Sequence, residues 1–308
     1  MLRAHPLALA VIAVVVSAAV GCAPDDAGEG EGEGEDIVFD DIDGSFVVDV
    51  DGRAATVFVP ESYDGTAALP FVLLLHGYGI DGEDMVRFTN FQTAAETNNV
   101  IFASPSGNVD GNGSNFWNAS PACCDFFGTD VDDSAFLRGV IDGARATANI
   151  DPARIFVIGH SNGGFMAHKL ACEHSDVIAA VASLAGGIDA LSCEPAQPVS
   201  VLQMHGTADT TIRIAGGTLA AGLPAYPSAT TTIETWALLN SCDDAPVADA
   251  SFDAALDLAG AETDVARFDN CAAGGHAELW TVNGGGHIVN GGDALVQRIV
   301  DFVLGHPR

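Results

Sequence analysis

Residues Arg154 to Cys172 read RIFVIGHSNGGFMAHKLAC. An apolar run stops at a glycine, one serine follows, two more glycines come next, and a helical pattern begins at once. A short continuous apolar run is what a parallel strand covered on both faces looks like. Gly159-His160-Ser161-Asn162-Gly163 fits the spacing G-x-S-x-G, in which a serine is raised on a sharp bend between strand and helix. The bend needs small neighbours, and Gly159, Gly163 and Gly164 meet that need. Sheets that place chemistry at the carboxyl ends of their strands are α/β sheets, so this junction points to that class. Ser161 is then either a helix N-cap or a nucleophile, and the strand-to-helix context favours the nucleophile.

The rest of the chain agrees with the junction. Strand patterns fall at 45–50, 55–60, 70–76, 99–105, 154–159, 179–186, 199–205, 264–269 and 278–282. Helical patterns cover 132–148, follow Asn162, cover 229–240 and close the chain at 292–304. In the first of these, Phe136, Leu137, Val140, Ile141, Ala144 and Ala148 share one face. The first two strands read as an antiparallel hairpin and the others as βαβ units. The expectation is a mostly parallel twisted sheet with helices on both faces, occupying residues 44–308 as one catalytic domain. The stretch from Ser106 to Asp130 is too long for an ordinary connection. Its Phe116, Trp117, Phe126, Phe127 and two cysteines argue for a pinned surface structure. Within it, 110–115 alternates Asp110, Asn112 and Ser114 but lacks the glycine and distal glutamate of a calcium loop, so it reads as a polar turn and no metal site is expected.

A serine hydroxyl needs a base, and the base needs an orienting acid. In this type of sheet they follow the serine in the order acid, then histidine. Asp209, just past the strand 199–205, suits the acid; the alternative is an ordinary turn aspartate. His287, between glycine clusters after the strand 278–282, suits the base, and His276 is the second choice. His160 lies inside the bend, and His76 and His205 end strands, which suits structural roles. Two donors should face the developing oxyanion. The backbone N–H of Asn162 is one. The N–H of Tyr78, in the turn His76-Gly77-Tyr78-Gly79, is the other, with its ring bordering the acyl pocket. Trp117 has two readings: it stacks on substrate, or it pins the long loop.

The first residues, MLRAHPLALAVIAVVVSAAVGC, have a positive start and an apolar core of the length of a secretory signal, so residues 1–21 are expected to direct export. The ending AVGC resembles a bacterial lipobox, which would lipidate Cys22 and anchor the protein to a membrane surface; Ala19 departs from the usual leucine. Residues 22–43 form an acidic spacer expected to be disordered. Export also fits the cysteines. Without Cys22 six remain, an even number that favours disulfides, with 15 pairings open. No CxxC pair suggests zinc. The chain carries 42 acids against 11 Lys and Arg, for a net charge of -31, and 32 of the acids lie in the body after residue 43. A basic footprint for nucleic acid is absent.

LLLHGYG, FWNASPACCDFFGTDVDDSAFLRGVI, ARIFVIGHSNGGFMAHKLACE, MHGTADTTI, ETWALLNSC and GGGH occur in this order. Together they resemble the feruloyl esterase and polyhydroxybutyrate depolymerase group of the α/β-hydrolases, within the first carbohydrate-esterase family. The resemblance spans roughly residues 45–305. It implies Ser161 as nucleophile, Asp209 as acid and His287 as base, with no cofactor. The sequence after His287 lacks the group's usual Thr-Trp-Pro, and Tyr78 replaces a smaller residue. Beside the resemblance we pair Cys172 with Cys193 and Cys242 with Cys271. Cys123 and Cys124 are left to a vicinal bridge, strained at the spacing of adjacent α-carbons, or to partners elsewhere. The expected activity is that of an exported serine ester hydrolase. Feruloyl or acetyl esters of plant polysaccharide come first as substrates, since little sequence remains after the last helix for a polymer-binding domain. Hydroxyalkanoate esters come second. A serine peptidase of the same fold and a non-catalytic lipoprotein are the other readings.

Overall fold

The computed structural model describes residues 44–308; the expected signal at 1–21, Cys22 and the acidic segment 22–43 lie outside them. The described residues open with strands β1 (Phe46–Val50), β2 (Arg53–Phe58) and β3 (Leu69–Leu75). Two short helices, α1 (Gly82–Thr89) and α2 (Phe91–Asn98), lead to β4 (Ile101–Ala103). The long loop carries a miniature hairpin, β5 (Asn108–Val109) and β6 (Asn115–Phe116), before α3 (Asp133–Thr147). Then come β7 (Ile150–His160), α4 (Asn162–Glu173), β8 (Ala180–Leu184), β9 (Ser200–Gly206) and α5 (Ala229–Leu239). Strands β10 (Val247–Phe252), β11 (Thr263–Phe268) and β12 (His276–Val282) precede the last helix, α6 (Gly292–Leu304).

Ten of these strands form one sheet in the order β1-β2-β4-β3-β7-β8-β9-β12-β11-β10. The six from β4 to β12 run parallel. The hairpin β1–β2 is antiparallel, as expected, and joins the parallel set through an antiparallel β2–β4 pairing. The far edge corrects the expectation of βαβ units throughout: β11 and β10 add to β12 as an antiparallel meander. The loop between β11 and β12 is too short to carry a crossover helix, which a parallel pair requires.

Strand β3 shows why its sequence is apolar without alternation. Phe71, Leu73 and Leu75 pack with Leu137, Ile141, Leu170 and Trp236 on the α3–α4–α5 side. Val72 and Leu74 pack with Met85, Phe91, Ile299 and Val303 on the α1–α2–α6 side. Both faces are covered, so period-2 neighbours enter two different cores. Parallel alignment also gathers the loops that follow β3, β7, β9 and β12 at one edge of the sheet. This is what brings residues near 78, 161, 209 and 287 together.

Candidate active site

Ser161 directly follows β7 with φ 55° and ψ −118°, a positive-φ bend strained for a residue with a side chain. It occupies the N-cap position of α4, yet its side chain caps nothing. Its backbone N–H is held by the Leu184 carbonyl at 2.7 Å. The bend is allowed by what is missing around it. A Cβ at Gly163 would stand 2.3 Å from the Leu75 carbonyl oxygen and 2.6 Å from that of His76, so α4 can approach β3 only through a glycine. The N-cap reading of Ser161 therefore fails on the direction of its hydroxyl.

That hydroxyl points at His287. Ser161 Oγ donates to His287 Nε2 at 2.9 Å, and His287 Nδ1 donates to Asp209 Oδ2 at 2.8 Å. The Asp209 side chain is fully buried, while His287 keeps 20% of its exposure. The two loops are stitched: Ala208 N donates to the Gly285 carbonyl at 2.8 Å and Gly284 N to Thr207 Oγ1 at 2.8 Å. A Cβ at Gly206 would meet the Gly285 oxygen at 2.2 Å, so this contact also needs glycine. The second-choice histidine, His276, lies at the other end of β12, against Glu278 and the His306 ring.

Asp209 is an aspartate held ionised. Burial alone would push its carboxyl up, but hydrogen bonding from His205 and His287 and the Thr211 N–H hold it well below the usual carboxylate range. Its Oδ1 accepts from the N–H groups of Thr211 and Ile212. His205 Nε2 lies 2.6 Å from the Ile212 carbonyl and 3.5 Å from Asp209 Oδ2, so one proton is shared between them, nearer the carbonyl. The tautomer is set from behind. Gln203 Nε2 donates to the Gly186 carbonyl at 3.1 Å and faces His205 Nδ1 at 3.3 Å, while its Oε1 accepts from His168 Nε2 at 2.9 Å. Trp236 Nε1, a donor with no alternative, supplies His168 Nδ1 at 3.0 Å. A line of buried donors thus runs from α5 to Asp209. On the other side His160 Nε2 donates to the His287 carbonyl at 3.0 Å, and burial pushes its imidazole down to about 4, so it stays neutral near pH 7. The sequence marked His160 and His205 only as residues inside the bend and at a strand end. The spacing of His205 four residues before Asp209 was the one available signal.

The turn after β3 lies against the nucleophile: a Cβ at Gly77 would sit 3.4 Å from Ser161 Cβ. Tyr78 follows in that turn, its hydroxyl bonded to Asp110 and its ring edge-on to Phe126 at 5.3 Å. Asn162, the first residue of α4, directs its N–H out of the helix end, where no carbonyl precedes it. Its side chain pairs with the backbone of Trp117, accepting from the N–H at 2.7 Å and donating to the carbonyl at 2.9 Å. Trp117 is wholly buried, with its indole N–H on the His76 carbonyl at 3.1 Å. Of its two readings the structure has the second: it pins the loop, and a stacking role against substrate is ruled out by burial. The disulfides are Cys172–Cys193, Cys242–Cys271 and the vicinal Cys123–Cys124.

A cleft of about 490 Å³ opens over Ser161 and His287, walled by Tyr78, Ile80, Phe88 and Ile288, with Arg87 and Asp84 at its rim. A cavity of about 520 Å³ beside Lys169 and Glu173 of α4 touches none of these groups. Among the described residues no cluster of three or more His, Cys, Asp or Glu is placed to hold a metal ion. The arrangement at Ser161 can deprotonate a hydroxyl, hold the resulting imidazolium, and present backbone N–H groups to an oxyanion.

A family profile described as phospholipase/carboxylesterase matches residues 63–224. Feruloyl esterase B of Piromyces equi is 30% identical over 261 residues, 82% of this chain and 46% of that protein. A probable feruloyl esterase C of Aspergillus terreus is 27% identical over 56% of this chain and 60% of its own. The chain spans about half the length of the curated relatives it matches. An acetyl xylan esterase structure from Aspergillus awamori superposes with a TM-score of 0.55 at 17% identity, covering 76% of this chain and 88% of that one.

Proposed function

Since the chain belongs to the phospholipase/carboxylesterase family, with an α/β-hydrolase fold, we propose that it is a carboxylic-ester hydrolase working through Ser161, His287 and Asp209. The observation that carries this is the unbroken hydrogen-bond line from Ser161 Oγ through the His287 ring to Asp209. In this reading Ser161 Oγ attacks the ester carbonyl carbon as His287 Nε2 takes its proton. The N–H groups of Asn162 and Tyr78 receive the oxyanion, and Asp209 holds the imidazolium. The C–O bond to the alcohol breaks, the alcohol leaves with the proton from His287, and an acyl group remains on Ser161. Water, deprotonated by His287, then attacks the acyl carbon. The acid departs and Ser161 regains its proton.

Feruloyl or acetyl esters of a polysaccharide are the substrates this reading places first, supported by relatives bearing those names. Hydroxyalkanoate esters come second. Residues 44–308 are read as the catalytic domain, residues 1–21 as an export signal and 22–43 as a spacer, with Cys22 as a lipid anchor. The three disulfides support an oxidising location. The test is hydrolysis of p-nitrophenyl acetate by the purified chain and by Ser161→Ala. The variant should lose at least a thousandfold in kcat and all labelling by a fluorophosphonate probe while unfolding at the same temperature. Equal turnover by the alanine variant would remove Ser161 from the reaction.

A further inference from the structure

The cavity of about 520 Å³ away from the catalytic groups has three walls. One is a face of α4, where Phe165, Lys169, Cys172 and Glu173 recur at helical spacing. The second is the loop that carries Asn118, Ser120 and Asp125, and the third is the segment 189–192. The Cys172–Cys193 disulfide ties that segment to α4, so these walls are joined before any ligand arrives. The first two walls also reach the catalytic edge. Helix α4 starts at the residue after Ser161, and Lys169 stands about 12 Å further along its axis. The loop passes Trp117, whose backbone pairs with Asn162, and Phe126, whose ring meets Tyr78 in the cleft wall.

Lys169 is the chain's only lysine. Its ammonium donates to the Asn118 carbonyl at 3.1 Å and forms no ion pair among the described residues, which leaves two N–H groups to use. The carboxylates of the cavity already hold donors from the chain. Asp189 accepts from the Leu191 N–H at 3.2 Å and the Ser192 hydroxyl at 2.8 Å, and Glu173 accepts from the Ser134 hydroxyl. Asp125 Oδ2 accepts from the Asp130 N–H at 2.9 Å. Two atoms of the loop wall have no partner: Ser120 Oγ, which can donate, and Asp125 Oδ1, which can only accept. The carboxylates turn an anion away. A cation would face the Lys169 ammonium and would leave its N–H groups unused. The lining suits an uncharged molecule whose groups both donate and accept, and hydroxyl groups do both.

We propose that this cavity is a glycan subsite, holding a sugar unit of the same polysaccharide whose ester group reaches Ser161. The sugar follows from the lining; that it belongs to the esterified chain rests on the esterase reading above. Lys169 donates to sugar oxygens, while Glu173 and Asp189 accept from sugar hydroxyls. A sugar held there positions the polymer without touching the ester carbonyl. The subsite therefore acts on KM for oligosaccharide esters and is bypassed by small esters.

Calorimetry of Ser161→Ala with xylohexaose, which carries no ester, is the first test. Binding is expected, and adding Lys169→Met should weaken it roughly tenfold, as for loss of a hydrogen bond from a charged group. Lys169→Arg, which keeps a cationic donor, should recover most of the affinity. Ser192→Trp, placed at an exposed position on the third wall, should abolish it. In the active enzyme Lys169→Met should raise KM for acetylated xylo-oligosaccharides roughly tenfold relative to KM for p-nitrophenyl acetate, with kcat for the oligosaccharides held. Xylohexaose binding that is absent, or indifferent to both Lys169→Met and Ser192→Trp, overturns the subsite. A chitosan oligomer held more tightly than xylohexaose, and released by Ser192→Trp, would make this a cation site and also overturn it. The two readings fail separately. Lys169-dependent xylohexaose binding with no ester cleaved would sink the esterase reading and keep the subsite; ester cleavage without that binding would do the reverse.

Discussion

At the scale of single residues, histidine dominates this site, and only one of the histidines faces Ser161 Oγ. His287 is held twice: its ring by Asp209, its carbonyl by His160. His205 shares one N–H between Asp209 and the Ile212 carbonyl. His205→Leu removes that donor, and kcat is expected to fall roughly tenfold with KM little changed, as for the loss of one hydrogen bond to a charged group. His205→Gln, whose amide nitrogen reaches the same place, should recover most of the loss. A carboxylate with one donor fewer is a stronger acceptor for the imidazolium, so the acidic limb of kcat/KM should move to higher pH in the leucine variant alone. The other groups facing His287 are Asp209 and His160, with Arg87 and Asp84 at the cleft rim, and none of them is altered. A limb that stays put while the melting temperature drops would reduce His205 to packing. The sequence named Ser161, Asp209 and His287 because acyl chemistry demands those types in an order that can be checked along the chain. It left Trp117 open between two roles, because whether a large aromatic is at the surface depends on what covers it.

At the scale of elements, the strong periodicities were legible and the weak ones were not. Helix α3 and strands β3, β7 and β9 carry long apolar patterns and stand where those patterns fall. Helices α1 and α2 went unread: each has only eight residues, with at most three large apolar side chains, and a left-handed Asn90 separates them. Their stability comes from packing Met85, Val86 and Phe91 under the sheet rather than from propensity. Strand β10 was missed because it lies at the sheet edge with its first five residues exposed. The bend between β7 and α4 is the element where sequence and structure constrain each other most. Gly163→Ala would drive a methyl group into two carbonyl oxygens of the β3 end, neither of which can swing away. The expected loss is several kcal/mol of stability, enough that soluble yield and urea midpoint both drop sharply. A variant with a wild-type midpoint would show that α4 can retreat from β3 cheaply.

At the scale of the whole molecule, the buried histidines tie stability to pH. Burial pushes His160 and His168 down to about 4 in the folded protein, against about 6.5 unfolded. Burial lowers His76 and His306 as well. In that window the unfolded chain binds more protons than the native one, so stability is full above pH 6.5 and is lost as pH falls toward 4. Asp209, held low, stays ionised through this range and contributes its loss only at more acid pH. Urea unfolding between pH 4 and 7 should show this slope. His168→Gln should flatten it by about one proton, a difference that cancels the changing repulsion among the 42 acids. An identical slope in the variant would mean that His168 titrates normally. The sequence by itself determined the class of sheet, the bend at Ser161 and the identities of its partners, because strand coverage, glycine clearance and acyl chemistry all act through residue type and local spacing. Tertiary structure alone decided the antiparallel edge, the burial of Trp117, the donors behind Asp209 and the cavity beside Lys169. Each of these depends on which distant segments meet, and the energy of a buried polar group or an unfilled space exists only once they have met.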